Sequence, residues 1–467
     1  MNTPPLNALL VGLQLPRVDE VEFNGSLAEL QRLVHTLGYN VVGSLRQKRK
    51  STSNALVVGE GKLRELAEWT GGTGHVASSV TRKKSKAAER FGQEDETEDD
   101  ADGDEIDVDE AGLEEPENPP PAGVRADVVV FDCDLTPSQL RNLESATGAI
   151  VLDRTGVIIE IFSRHARTRA ARLQVEIARL NYLAPRIRET GGGGDRQGGG
   201  IGGKGSGESS QELDRRHIRD RIKELKTELE DVQRDGALRR GRRVGENSVA
   251  LVGYTNAGKS SLMRAMTSSE VLVADKLFAT LDTTVRPMHP PSVPKVLLSD
   301  TVGFIKKLPH DLIASFRSTL EEALNSDLLF FVVDASDPTF RQQLEVTREV
   351  LGEIGALEIP SRLLLNKRDR LSAKECEALR QEFPEAIQLS TRDQADLAAL
   401  RETLLVFFEK DMQEARLLVP YTIQGAIGEI RRAMRVLEES YNEVGVTLRV
   451  RAREEDLARV RDRFKLE

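Results

Sequence analysis

Apolar and polar positions change period several times along the 467 residues, and each change marks a different kind of element. Residues 9–13 form an apolar run of strand length. Behind it Leu27, Leu30, Leu33, Val34 and Leu37 recur at helical spacing, with Ser26 as the expected N-cap and Gly38 as the stop. Residues 39–45 read as a second strand, and 57–62 as strand, turn and helix start. The glycines there lack the spacing of a phosphate loop, so a Gly-capped turn is expected. Strands follow at 127–132 and 149–152, around a helix with Thr136 as N-cap and Pro137 at its first position. This alternation predicts a small α/β domain over 1–162. It is interrupted at 77–122, where large apolar residues nearly vanish and a disordered acidic insertion is expected.

From residue 163 the period is helical. Ala170, Leu173, Ile177, Leu180, Ala184 and Ile187 make one apolar seam, and Ile218, Ile222, Leu225, Leu229 and Val232 another. Between them, 11 of the 17 residues in 191–207 are glycine, too costly in entropy to be helical. An antiparallel helical hairpin with a mobile tip is expected over 163–243. Over 244–410 apolar strands at 248–252, 295–299, 328–334, 362–366 and 386–390 alternate with helix-length segments, the pattern of a doubly wound parallel sheet. Residues 411–467 read as strand 417–422, helix 427–439, strand 445–451 and helix 456–464, a small α/β domain.

Composition narrows the class. Cys133 and Cys376 are the only cysteines, far apart, which argues against a disulfide framework or a zinc or iron–sulfur site and for a reducing compartment. The longest apolar stretch, 328–333, is far short of the ~20 residues a membrane helix needs, and no basic residue precedes the short run 9–11. A cytoplasmic protein without a membrane span is expected. The net charge of −10 misleads: 15 acidic residues and no Lys or Arg lie in 94–117, and without them 66 basic residues face 61 acidic ones. Residues 164–243 carry 20 basic against 12 acidic residues, ending in Arg239, Arg240, Arg242 and Arg243, which favours an RNA phosphate partner over a merely solvated helix face.

The strongest chemical signal is Gly253, Tyr254, Thr255, Asn256, Ala257, Gly258, Lys259 and Ser260, with Ser261 opening the helix behind them, directly after an apolar strand. In a P-loop of this spacing, backbone N–H groups wrap the phosphates, Lys259 reaches the β- and γ-oxygens, and Ser260 offers its hydroxyl to Mg²⁺. Asn366, Lys367, Arg368 and Asp369 follow another strand. A carboxylate at 369 accepts from guanine N1–H and the 2-amino group, whereas adenine offers neither donor, so GTP is expected over ATP. Asp300, Thr301, Val302 and Gly303 end a third strand, with Asp300 placed to hold Mg²⁺ through water and the Gly303 N–H to meet the γ-phosphate. Thr280, within Phe278, Ala279, Thr280, Leu281 and Asp282, is the candidate second hydroxyl on Mg²⁺, with Thr283 and Thr284 as competitors. Ser390, Thr391 and Arg392 would present backbone to the guanine O6. Lys259, Thr280 and Gly303 are the catalytic candidates, and Asn256 a candidate ligand for K⁺. Phe304 stands where many GTPases place a water-orienting glutamine; it reads as packed core, so intrinsic turnover is expected to be slow, on the order of 10⁻⁴ to 10⁻² s⁻¹.

These segments, with Leu135 to Glu144 and the stretch 300–322, resemble the HflX family of ribosome-associated GTPases over nearly the whole chain outside the acidic insertion. The resemblance implies a P-loop GTPase sheet preceded by a smaller α/β domain and a helical hairpin and followed by a small α/β domain. It also implies Mg²⁺ as cofactor, binding of the large ribosomal subunit and its rRNA, splitting or recycling of stalled ribosomes under stress, and stimulation by ribosomes of a protein that is itself a monomer. The Gly-rich tip would enter the peptidyl-transferase region. Two departures from the family pattern are the tip sequence at 205–216 and Thr283 where a proline is usual. The competing reading is an RNA-modification or signalling GTPase whose hairpin docks a protein.

Overall fold

The computed structural model describes residues 5–76, 120–121, 123–186, 210–241, 246–268, 277–278, 283–306, 322–410 and 412–466. The expectations for the acidic insertion, the Gly-rich tip, Ile187 and residues 279–282 therefore lie outside the described residues. The chain divides into two compact units, Met1–Val157 and Ile158–Glu467.

In the first unit β1 (Asn7–Gln14), α1 (Glu20–Thr36), β2 (Asn40–Lys48), α2 (Glu60–Thr70), β3 (Val128–Phe131), α3 (Pro137–Thr147) and β4 (Ile150–Asp153) precede α4 (Arg154–His165). The strands form one sheet in the order β2-β1-β3-β4, every pair parallel. Its core holds Leu9, Val11, Leu66, Trp69, Phe131 and Leu143. Thr136 caps α3 as expected, in a capping box with Gln139. Ser26 does not cap α1. Asp19 does, accepting from the Glu22 N–H, because buried Phe23 extends the apolar stripe one turn earlier than Leu27. Residues 57–58 are not a strand either; Val57 is left-handed at φ 55°, and the chain turns into α2 at Gly59.

In the second unit α5 (Arg169–Leu183) and α6 (Ser210–Gly241) pack side by side through Leu173, Ile177 and Leu225, with Leu180, Ile222, Leu229 and Val232 along the same seam. The α-helix ends at Leu183, so Ala184 belongs to the 3₁₀ turn Ala184–Arg186, which contains Pro185. Strands β5 (Asn247–Val252), β6 (Thr284–Pro287), β7 (Val296–Asp300), β8 (Leu328–Asp334), β9 (Ser361–Asn366) and β10 (Ile387–Gln388) form a six-stranded sheet in the order β10-β9-β8-β5-β7-β6. All neighbours are parallel except β6, an antiparallel edge absent from the sequence reading because it is four residues long and ends in proline. Helices α7 (Lys259–Thr267), α8 (Phe340–Glu353), α9 (Ala373–Glu382) and α10 (Gln394–Glu409) accompany it.

The chain closes with β11 (Gln413–Pro420), α11 (Ala426–Ala433), β12 (Arg435–Tyr441), β13 (Gly445–Ala452) and α12 (Glu454–Phe464), the strands antiparallel in the order β11-β13-β12. The expected helix 427–439 is thus wrong in its second half. Met434 is extended, and Asn442 closes a hairpin by accepting from the Val444 and Gly445 N–H groups, which draws 435–441 into the sheet.

Candidate functional site

β5 is flanked by β7 on one side and β8 on the other, both later in the chain, so the strand order reverses there and a crevice opens beyond its carboxyl end. Residues 253–258 fill that crevice. Gly253 has φ 148°, and a Cβ there would lie 2.2 Å from the Val332 carbonyl oxygen, a backbone atom of β8. Gly258 has φ 100°, and a Cβ would lie 2.2 Å from Asn366 Nδ2. Only glycine allows both approaches.

The carbonyls of this loop are held by three side chains. Lys259 Nζ donates to the carbonyls of Gly253 (2.9 Å) and Tyr254 (2.8 Å), Lys367 Nζ to that of Asn256 (2.8 Å), and Asn366 Nδ2 to that of Ala257 (2.9 Å). Because C=O and the following N–H point opposite ways across a planar peptide, pinning the Ala257 carbonyl turns the Gly258 N–H the other way, while the Ala257 N–H donates to the Tyr254 carbonyl at 3.4 Å. The Gly258 N–H and the N-terminus of α7 make an anion cradle. Lys259 is 6% exposed. Burial pulls its pKa down to about 8, with the nearby Asp300 carboxylate acting against that.

Asp300 Oδ2, at the end of β7, accepts from Ser260 Oγ at 2.6 Å, which brings two oxygen donors to the mouth of the cradle. Among the described residues no trio of His, Cys, Asp or Glu could hold a metal alone. The segment after β7 is zipped to the loop: the Thr255 N–H donates to the Phe304 carbonyl (2.8 Å), the Phe304 N–H to the Gly253 carbonyl (3.1 Å), and the Lys306 N–H to the Tyr254 hydroxyl (2.6 Å). A Cβ on Gly303 would sit 2.9 Å from Thr255 Cα and 3.0 Å from Lys259 Nζ. Thr301 donates its hydroxyl to the Leu251 carbonyl, Val302 is buried, and Phe304, at 3% exposure, is packed core as expected.

At the other end of the crevice Asp369 accepts from Ser390 Oγ at 2.7 Å, with the Arg392 guanidinium 3.8 Å from its second oxygen. The Ser390 hydrogen bond, chiefly, holds the Asp369 carboxyl below the usual carboxylate range. Arg368 is turned to Asp393 and Asp396, and Asp396 also accepts from the Ser390 N–H. The sequence reading missed Asp334 and Asp396. Asp334 ends β8 and accepts from Lys367 Nζ at 2.6 Å; a carboxylate closing an apolar strand was the available signal. Of the segment 278–282 only Phe278 is described, buried edge-to-face against Phe162 at 4.5 Å.

Three family models match the chain: "GTP-binding GTPase N-terminal" over 24–81 and 121–163, "GTP-binding GTPase Middle Region" over 165–243, and "50S ribosome-binding GTPase" over 248–367. The protein named GTPase HflX of Gluconacetobacter diazotrophicus is 59% identical over 450 residues, covering 96% of each chain. The GTPase HflX of Escherichia coli is 35% identical over 417 residues, 88% of this chain and 85% of its own. A GTP-binding protein from Sulfolobus solfataricus, solved with GDP, aligns with a TM-score of 0.42 at 22% identity over 86% of this chain and 97% of its own.

Proposed function

The chain belongs to the HflX family of GTPases and hydrolyses GTP, and from that premise we propose that it binds the large ribosomal subunit and separates or recycles stalled ribosomes in the cytoplasm under stress. The observation that carries the ribosomal reading is the paired helices α5 and α6, in a region with 20 basic against 12 acidic residues, joined to a GTPase sheet. Excess positive charge on an exposed two-helix arm suits an RNA backbone. The proposed parts are an α/β domain at 1–162, a hairpin arm at 163–243, the nucleotide domain at 244–410 and a small domain at 411–467, acting as a monomer.

Within the proposed nucleotide domain the geometry supports the following roles. Backbone N–H groups of the loop 253–260 wrap the α- and β-phosphates, and Lys259 exchanges two carbonyl partners for β- and γ-phosphate oxygens. Asp369, held by Ser390, reads the guanine edge, and Thr391 and Arg392 border it. Asn366 and Lys367 support the loop from behind. Ser260 and Asp300 are hard oxygen donors that fit Mg²⁺, Ser260 directly and Asp300 through water, with Thr280 as the further hydroxyl. The ion, when bound, neutralises charge on the β- and γ-oxygens. Asn256 is the proposed side-chain ligand for K⁺. The Gly303 N–H meets the γ-phosphate.

Sucrose-gradient sedimentation of the full chain with purified large subunits, with a non-hydrolysable GTP analogue, GDP or no nucleotide, tests the reading. Association strongest with the GTP analogue is expected, together with a GTPase rate raised by the subunits. Binding that ignores nucleotide, or no binding, overturns it. A protein partner captured at high salt without rRNA would favour the alternative of a signalling or RNA-modification switch.

A further inference from the structure

Phe304 supplies no polar atom where attacking water must be oriented, and the other side chains near Gly303 are committed. Thr301 Oγ1 donates to the Leu251 carbonyl at 2.7 Å, Ser260 Oγ donates to Asp300 at 2.6 Å, and the Tyr254 hydroxyl accepts from the Lys306 N–H at 2.6 Å. Thr255 differs. The residue is 6% exposed, and its Oγ1 is buried with no hydrogen-bond partner among the described residues. A hydroxyl removed from water without a partner is unfavourable, and such groups are a mark of binding or catalytic sites.

Its position is specific. The Thr255 backbone N–H is fixed on the Phe304 carbonyl at 2.8 Å. Its Cγ2 lies 2.9 Å from where a Cβ on Gly303 would be, and Lys259 Nζ lies 3.0 Å from that same point. The side chain therefore occupies the corner where the end of the cradle, the lysine ammonium and the Gly303 backbone converge. One χ1 step exchanges a threonine's methyl and hydroxyl, so this backbone can present oxygen to that corner without moving.

We propose that the Thr255 hydroxyl is a catalytic residue that accepts a hydrogen bond from the attacking water and aligns it with the γ-phosphorus. The water oxygen forms the new bond to phosphorus. The bond from phosphorus to the β–γ bridging oxygen breaks with its electron pair left on GDP. The water proton passes to a phosphate oxygen, and Thr255 keeps its own. Positioning of this kind suffices because phosphoryl transfer needs little covalent help from the protein. The inference rests on the reading that 253–260 holds the triphosphate, and it is independent of the ribosomal partner.

The test uses the full chain without ribosomes, comparing Thr255→Val, which keeps shape and removes the hydroxyl, with Thr255→Ser, which keeps the hydroxyl. Single-turnover GTP hydrolysis, equilibrium binding of a fluorescent GTP analogue, and formation of a GDP–aluminium fluoride complex are measured. Thr255→Val is expected to slow hydrolysis by roughly 10²-fold and to lose the aluminium fluoride complex, with analogue affinity within about threefold, and Thr255→Ser to restore both. Wild-type hydrolysis in Thr255→Val, affinity and rate falling together, or no rescue by serine would each overturn the proposal. Undiminished analogue binding by Lys259→Ala would instead overturn the reading of the loop.

Discussion

The four-stranded sheet of the first unit and the six-stranded sheet of the second are built alike: parallel strands, save the antiparallel edge β6 of the second, with the strand order reversing at the first strand of each. Both gather polar side chains where the strands end. In the first, most of those groups pair with one another, Arg154 Nε excepted. Arg154, 1% exposed, donates to Asp132 at 2.6 Å and to Glu29, Ser26 donates to Asp132 at 2.6 Å, and Asp153 accepts from the Leu135 and Gly156 N–H groups. In the second, side chains hold backbone carbonyls from behind, and the Thr255 hydroxyl is left buried without a partner among the described residues. The same architecture yields a closed edge or a binding site according to whether the loop polar groups are spent on each other. Glycines at 253 and 258 permit the second outcome, because backbone can then approach where side chains would intrude.

Breaking the closed edge should have the largest effect. Arg154→Met leaves two buried carboxylates without their cation, and about 3 to 5 kcal/mol of stability should be lost from the first unit in urea titration. GTP affinity should stay within about twofold of wild type if the second sheet alone builds the nucleotide site; a large loss would blur the contrast. Next, Lys259→Ala should weaken GTP binding by about 2 to 3 kcal/mol in calorimetry, the worth of hydrogen bonds to a charged group. Asp369→Asn should cut the preference for GTP over ATP by roughly tenfold to a hundredfold, read by competition, since one charged acceptor is replaced by a neutral amide.

The pH dependence is of similar or smaller size. The proposed phosphate contact needs a charged lysine, and Lys259 has its pKa lowered to about 8 by burial. Below that pH the ammonium is already present. Above it, the ligand-free protein must take up a proton to bind, so GTP affinity should fall with rising pH, by up to about tenfold per unit. An affinity flat from pH 7 to 10 would refute this. The smallest effect is Ser390→Ala, about 1 kcal/mol at neutral pH. Because Ser390 depresses the Asp369 pKa, the carboxylate survives as pH falls, and the variant should lose guanine binding at a higher pH than wild type.

Most of the residues gathered at the crevice of the second sheet were legible because their determinants are local. Loop spacing, the strand before it and the helix after it are contiguous from Asn247 to Thr267, and three strand ends supply the rest. The carboxylates behind the site were not legible in the same way. Asp334 meets Lys367 across two neighbouring strands, and nothing near Asp334 in sequence announces the pairing. Nor did the helical spacing of 427–439 show that its second half pairs with β13, since a strand is stabilised by partners distant in the chain.

The amino-acid sequence alone determined the element types over strongly periodic segments, the order of the motifs and their chemistry, because helix and strand periods and loop glycines act over a few residues. Tertiary structure decided which polar groups were consumed and which were kept for a ligand. Ser26, placed by sequence at a helix cap, is spent on Asp132, whereas Thr255, whose methyl meets the corner by Gly303 and Lys259, has a buried hydroxyl with no partner among the described residues. Hydrogen-bond satisfaction is a property of packed neighbours, and those neighbours are set only when separate strands are brought side by side.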